Sequence, residues 1–229
     1  MLGGFSSQDG TVEFYGRVNA LLSPEKCVVD LGAGRGAWHF EDFTAYHRHL
    51  RDIRSKVATY IGADVDPQVL ENPTTSQNVL IEGGVVPLPA ATVDLIIADF
   101  VLEHVADPQA FRTEVDRLLK PGGFFCARTP HALNYVSLGA RLLSDHLGWL
   151  QKLQPTRRKS DIFPTHYRLN TRRKVRSAFD GWADFSYLYA GEPMYFMGNE
   201  TVFGVMSFLH RFAPAPAIST IFVFLQKPS

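Results

Sequence analysis

Short apolar runs alternate with longer stretches in which apolar side chains recur every three or four positions, and this rhythm holds through roughly the first 130 residues. The runs at 27–31, 58–63, 79–81, 93–98 and 123–128 predict strands. Residues 12–22, the stretch from 37 to about 50, and a segment opening at Asp107-Pro108 predict helices. In the last of these Asp107 is suited to cap the first turn and Pro108 to occupy it, while Phe111, Val115, Leu118 and Leu119 fall at helical spacing. Lys120-Pro121-Gly122-Gly123 then stops the helix. Strand and helix in alternation is the pattern of a parallel sheet covered on both faces.

After Pro130 the rhythm fails. Residues 131–180 carry Trp149 and a basic set including Lys152, Arg157, Arg158, Lys159, Arg168, Arg172, Arg173, Lys174 and Arg176, against Asp145, Asp161 and Asp180. Phe203, Met206, Phe208 and Leu209 predict a short apolar helix ending near Arg211, and the run from Ser219 to Leu225 a closing strand. The expected organisation is one α/β domain over 1–229 with a helical, basic insert at 131–180 after the fifth strand.

Composition narrows the picture modestly. At 229 residues the chain suits one core, and 23 Lys plus Arg against 23 Asp plus Glu gives no whole-chain argument for nucleic acid. Cys27 and Cys126 sit in apolar runs and read as reduced core residues. The N-terminus lacks the basic-then-apolar pattern of a secretory signal, and no apolar stretch is long enough to span a bilayer, so a cytoplasmic location is expected.

The chemistry concentrates at Val28-Val29-Asp30-Leu31-Gly32-Ala33-Gly34-Arg35-Gly36. An apolar strand ending in Asp and breaking into alternate glycines makes a turn whose backbone a ligand can approach closely. The helix that follows turns its free N–H groups toward that turn, which favours an anionic group on an adenosine-bearing ligand. Two cofactor classes compete here, because Gly32, Gly34 and Ala37 also satisfy the dinucleotide fingerprint. Asp64, at the end of the next strand, suits ribose hydroxyls in either class, although it lies well beyond the spacing that fingerprint expects.

Four segments in order resemble the class I S-adenosylmethionine-dependent methyltransferases. They are the glycine loop, Gly62-Ala63-Asp64-Val65-Asp66-Pro67, the stretch from Val93 through Leu102-Glu103-His104-Val105, and Leu119-Lys120-Pro121-Gly122-Gly123. The resemblance covers about 12–130. The residues around Pro130-His131 and Thr165-His166-Tyr167-Arg168 are similar, more weakly, to bacterial members associated with glycan assembly.

The resemblance implies a Rossmann-like, doubly wound seven-stranded sheet with its last strand antiparallel, and S-adenosylmethionine as cofactor. Asp30, Gly32, Ala33, Gly34 and Gly36 would hold its methionine end. Asp64 would take the ribose, Val65 would pack on the adenine, and Asp99 with Phe100 would line the edge near the sulfonium. Many relatives carry an Asp where Gly84 stands, so the adenine would be read by backbone near Gly84-Val85.

Each residue also has a plainer reading. Asp64 and Asp66 suit capping of a helix at Pro67, and Asp99 a strand-end turn. His104 suits a structural tie, whereas His131, following the fifth strand at the ligand-binding edge, and then His166 are the candidate general bases. His47 and His49 have no partners at metal-ligand spacing, so no metal is expected. Arg157, Arg158, Lys159, Tyr167 and Arg168 are candidates for holding an anionic or lipid-linked acceptor; without a recognised motif, nucleic acid is disfavoured. The expected activity is methyl transfer to a small-molecule or glycan hydroxyl. A non-catalytic binding module of the same fold is the alternative, followed by a nicotinamide oxidoreductase.

Overall fold

Asp9 sets the start of helix α1 (Gly10–Ala20) by accepting the Thr11 and Val12 N–H groups at 2.9 and 3.0 Å. Such a cap contributes about 1 kcal/mol by satisfying donors that the helix itself cannot. In this computed structural model the described residues are 6, 8–42, 44–135, 137–138, 164–193, 200–210 and 212–229. The elements after α1 are β1 (Cys27–Leu31), α2 (Ala37–Glu41), α3 (Ala45–Arg51), β2 (Thr59–Asp64), β3 (Gln77–Leu80), β4 (Val93–Asp99), α4 (Pro108–Leu118) and β5 (Leu119–Pro130). They continue with α5 (Arg172–Ala178), β6 (Ala183–Asp184), β7 (Tyr187–Ala190), α6 (Glu200–His210), α7 (Ala215–Ile218) and β8 (Ser219–Gln226).

The strands run in the order β3-β2-β1-β4-β5-β8-β6, with β7 also on β8. β6 pairs with the end of β8 through Ala183 opposite Gln226, and β7 with its beginning through Ala190 opposite Ser219. Among the described residues, eight strands therefore fill seven positions, because β6 and β7 share one edge. β1 to β5 are parallel to one another, and β8 is antiparallel to every strand it meets. This is the expected doubly wound sheet with an antiparallel last strand.

Side chains on the central strands alternate between two buried faces. Val29, Ile96 and Phe125 join one core, while Val28, Leu95, Ile97 and Cys126 join the other. A period of two with both sets buried explains why these strands read as continuous apolar runs. α1 closes the second face with Phe14 and Val18. α5 closes the first with Val175, followed by Phe179, whose ring stacks on Phe125 at 5.3 Å.

Two expectations change in detail. The helix expected from 37 to about 50 is two helices. Asp42, between them, is extended and accepts the Thr44 N–H at 3.0 Å, a local side-chain turn that competes with helix continuation. The helix at Pro67 is a short 3-10 turn, Pro67–Glu71, capped by Asp66. Most of the expected insert, including Arg157, Arg158 and Lys159, lies outside the described residues. Its described C-terminal portion holds α5, whose inner face belongs to the core.

Chain order reverses between β1 and β4, which are neighbours in the sheet. A crevice outside the carboxyl ends of the strands forms at such a point.

Candidate functional site

The loop after β1 takes a left-handed path, with φ of 78° at Gly32, 49° at Gly34 and 69° at Gly36. A Cβ on Gly32 would lie 2.4 Å from Val101 Cγ2, so the position excludes a side chain by packing as well as by conformation. Neighbours fix the loop from below. The Gly32 N–H donates to the Ala63 carbonyl and the Gly34 N–H to Asp64 Oδ2, both at 2.8 Å. The Asn72 amide donates to the Ala33 and Gly34 carbonyls at 3.2 and 3.0 Å.

Above the loop opens a cleft of about 730 Å³. Asp30, Gly32, Ala33 and Asp99, all expected from sequence, line it together with Tyr15, Trp38, His47 and Arg51, which were not. Asp99 ties the wall together. Its carboxylate accepts from Arg128 Nε and, at 2.9 Å, from Arg128 Nη2; Arg51 Nη2 donates at 2.8 Å and the Tyr15 hydroxyl at 2.9 Å. Burial opposes ionisation of Asp99, but the two guanidinium groups and the hydroxyl outweigh it and hold the carboxyl well below the usual carboxylate range. The Arg128 guanidinium also lies 4.9 Å from the centre of the Phe100 ring, and that residue has an unusual positive φ of 58°.

Asp30 is the counterpart. It is buried, and the Tyr60 hydroxyl donates to it at 2.8 Å. Burial pushes its carboxyl up to about 7, assisted by the Asp99 charge and opposed by the Tyr60 hydrogen bond. Two acids at adjacent strand ends are thus driven apart, one fixed as an anion and the other poised between protonation states near neutrality. Arg51 reaches over the Tyr15 and Trp38 rings, at 5.1 and 5.8 Å from their centres, and its buried Nε has no hydrogen-bond partner among the described residues. His47 bridges Asp9 and Asp42 at 2.7 and 3.1 Å, joining α1 to the α2–α3 turn at the rim.

Among the described residues, the remaining expected ones do not line this cleft. Asp64 is buried at the end of β2 with one oxygen on Gly34 and the other accepting the Asp66 N–H at 2.9 Å. Val65 and Val85 are exposed beyond the ends of β2 and β3, and Gly83 and Gly84 carry positive φ values of 59° and 79° between them. His131 does not line the cleft. It is buried, its Nδ1 accepts the Leu133 N–H at 3.2 Å, and burial lowers its pKa against a hydrogen bond to the Pro216 backbone. His166 and Arg168 are exposed, and Tyr167 is buried with a φ of 50°. The His166 and Tyr167 N–H groups both donate to the Glu103 carbonyl, at 2.7 and 3.1 Å, which places them beyond the end of β4. The Glu103 carboxylate, which sequence reasoning assigned no role, accepts the Thr129 hydroxyl at 2.7 Å, and Asn170 Nδ2 donates to that hydroxyl at 2.6 Å.

Comparison with known proteins finds methyltransferases similar to this chain. A family profile described as a methyltransferase domain matches residues 29–127. A dimethylglycine N-methyltransferase of Parasynechococcus marenigrum is 28% identical over 120 residues, which cover 49% of this chain and 40% of that one. A ubiquinone biosynthesis O-methyltransferase of Caulobacter vibrioides is 33% identical over 109 residues, covering 44% and 41%. The matched segment therefore spans about two fifths of the length of these relatives. Among solved structures, an S-adenosylmethionine-dependent methyltransferase from Mesorhizobium loti shares the fold with a TM-score of 0.59 and 16% identity, over 95% of this chain and 98% of that one.

Proposed function

We propose, from the methyltransferase-domain profile that residues 29–127 match, that the chain is a class I S-adenosylmethionine-dependent methyltransferase, which binds this cofactor in the cleft between β1 and β4 and transfers its methyl group to a small-molecule or glycan hydroxyl. The observation that carries the proposal is the juxtaposition of the left-handed glycine loop, the near-neutral Asp30 and the unpartnered Arg51 Nε around one cavity.

The residues present fit the cofactor. Arg51 Nε offers a buried donor for the carboxylate of its methionine end, and Asp30 an acceptor for the ammonium. Asp64 and the exposed faces of Val65 and Val85 are assigned to ribose and adenine. Asp99 and Phe100, fixed by Arg128, stand at the end of β4 as the edge against which the reacting groups are held. The cofactor supplies a methyl group already made electrophilic by a positively charged sulfur. What remains for the protein is to align an acceptor oxygen and remove its proton. Alignment is worth about 7–11 kcal/mol in favourable cases, against roughly 10²–10⁴-fold for a general base. Neither candidate base lines the cleft; the proton is assigned to His166, whose side chain is exposed, rather than to His131, whose ring already serves backbone groups. Arg157, Arg158, Lys159, Tyr167 and Arg168 are assigned to an anionic acceptor.

Calorimetric titration tests the cofactor assignment. S-adenosylhomocysteine should bind and NAD should not; tight NAD binding without a response to S-adenosylhomocysteine would overturn it.

A further inference from the structure

Helix α6 presents to solvent the face that a soluble protein ordinarily buries. Val205, Phe208, Leu209 and Phe212 are 56%, 58%, 57% and 75% exposed. They recur at i, i+3, i+4 and i+7, so they form one stripe along the helix and its end. Its other flank is also apolar, with Phe203 and Met206 partly buried and the His210 ring 5.7 Å from Tyr135.

This helix sits at the carboxyl edge of the sheet. α7 follows it and leads directly into β8, and the His131 N–H and the Asn134 amide both donate to the carbonyl of Ser219, the first residue of β8, at 3.1 and 3.0 Å. The segment so anchored adds exposed Leu133 and Leu138. On its other side the Ala132 N–H donates to the Asn170 carbonyl at 2.7 Å, just ahead of α5. There the charge becomes one-signed. From 164 to 178 the chain has Arg168, Arg172, Arg173, Lys174 and Arg176 and no Asp or Glu. All five side chains are exposed; among the described residues Arg176 is ion-paired, to Asp184 at 3.2 Å, and Lys174 Nζ donates to the Tyr167 carbonyl at 3.4 Å.

An exposed apolar helical stripe on the same sheet edge as a run of cations, the two joined through residues 131–135, is complementary to the acyl boundary and anionic headgroups of a bilayer. No helix among the described residues is long and apolar enough to cross a membrane, so the contact is peripheral. We infer that α6 and the basic start of α5 dock this edge of the protein on an anionic lipid surface. The inference does not rest on methyl transfer, since it concerns a face distinct from the cleft lining. It gives that edge access to amphiphilic molecules held in the bilayer. Burying aromatic and aliphatic side chains at the interface supplies affinity, while the arginines supply lipid selectivity.

The test is co-sedimentation of the full chain with vesicles of phosphatidylcholine alone and of phosphatidylcholine mixed with phosphatidylglycerol. The protein should partition to the mixed vesicles about tenfold or more better, and F208D/F212D should lose about tenfold of that binding. R172E/R173E should lose the preference for phosphatidylglycerol but keep its circular dichroism spectrum, which guards against a misfolded aromatic variant. Calorimetric titration with S-adenosylhomocysteine reports the cleft separately, so failure of docking and failure of the cofactor reading are distinguishable. Equal, weak sedimentation with both vesicles overturns the inference. So does a wild-type dimer that F208D/F212D converts to monomer, because the stripe is then covered by a second copy of the chain.

Discussion

Asp30 offers a measurement in which stability and ligand affinity move against each other. Its ordinary pKa is 3.8, and burial beneath the cleft raises it to about 7. Between those values the native protein holds a proton that the unfolded chain releases. Protons bound in the native state then exceed those bound in the unfolded state, so stability falls as pH rises through this window. At ~1.36 kcal/mol per pH unit, the gap of about three units corresponds to about 4 kcal/mol in full, of which about 2–3 kcal/mol falls between pH 5 and 8. For a chain of this length that is a decline in Tm of about 5–10 °C. Asp99 does not confound the range. Its carboxyl is held below the usual values, so its contribution is present above its unfolded pKa and is lost only at more acid pH.

The perturbation is Asp30→Asn, whose side-chain oxygen can still accept from Tyr60 but which cannot ionise. Thermal or urea melts of both proteins from about pH 5 to 8 should show the slope in the wild type and not in the variant, other titrations cancelling in the difference. S-adenosylhomocysteine binding should run the opposite way. An ionised Asp30 facing the ligand's ammonium strengthens wild-type binding as pH rises through about 7, whereas Asp30→Asn should bind about tenfold or more weakly at pH 8 with that pH dependence removed. Identical pH–stability profiles for the two proteins would refute the buried-acid reasoning. Unchanged affinity in the variant would remove Asp30 from the site.

Two further substitutions probe the loop. Asp64→Ala should weaken S-adenosylhomocysteine binding by about tenfold, because a charge-assisted contact is worth about 1.5–3 kcal/mol; an unchanged Kd would move the ribose contact elsewhere. Gly32→Ala forces a Cβ into Val101 Cγ2 and a side chain onto a φ of 78°. It should cost about 1–3 kcal/mol in denaturant melts, and Val101→Ala should recover the steric part but not the conformational part. Full rescue would show that strain is absent from the loop.

The parts of this molecule legible in sequence are those whose cause is local. β1 begins and ends where the apolar run at 27–31 does, and α4 starts at the Asp107-Pro108 signal, because side-chain period and capping act over a few residues. The break between α2 and α3 was also locally encoded, in the Asp-x-Thr turn at Asp42, but an apolar count across 37–50 passes over it. The Asp99 clamp has no local cause. Its arginines come from α3 and from β5, 48 and 29 residues away, and strand order alone brings them to one carboxylate. His131 shows the same division, since its place after β5 is readable but its orientation depends on Pro216, delivered by the return of the chain into β8.

Helix α6 marks the point at which pattern underdetermines structure. Apolar residues at three- and four-residue spacing predicted a helix, and the helix is there. Periodicity identifies a face without saying what lies opposite it, and α6 is apolar on both flanks. A helix apolar all round belongs in a core or in contact with lipid. In this fold one flank meets the protein, with the His210 ring against Tyr135, while the other, with Phe208 and Phe212, is exposed. Contacts among the described residues therefore do not account for the apolar character of that outer flank, and the lipid surface inferred above would supply its cause.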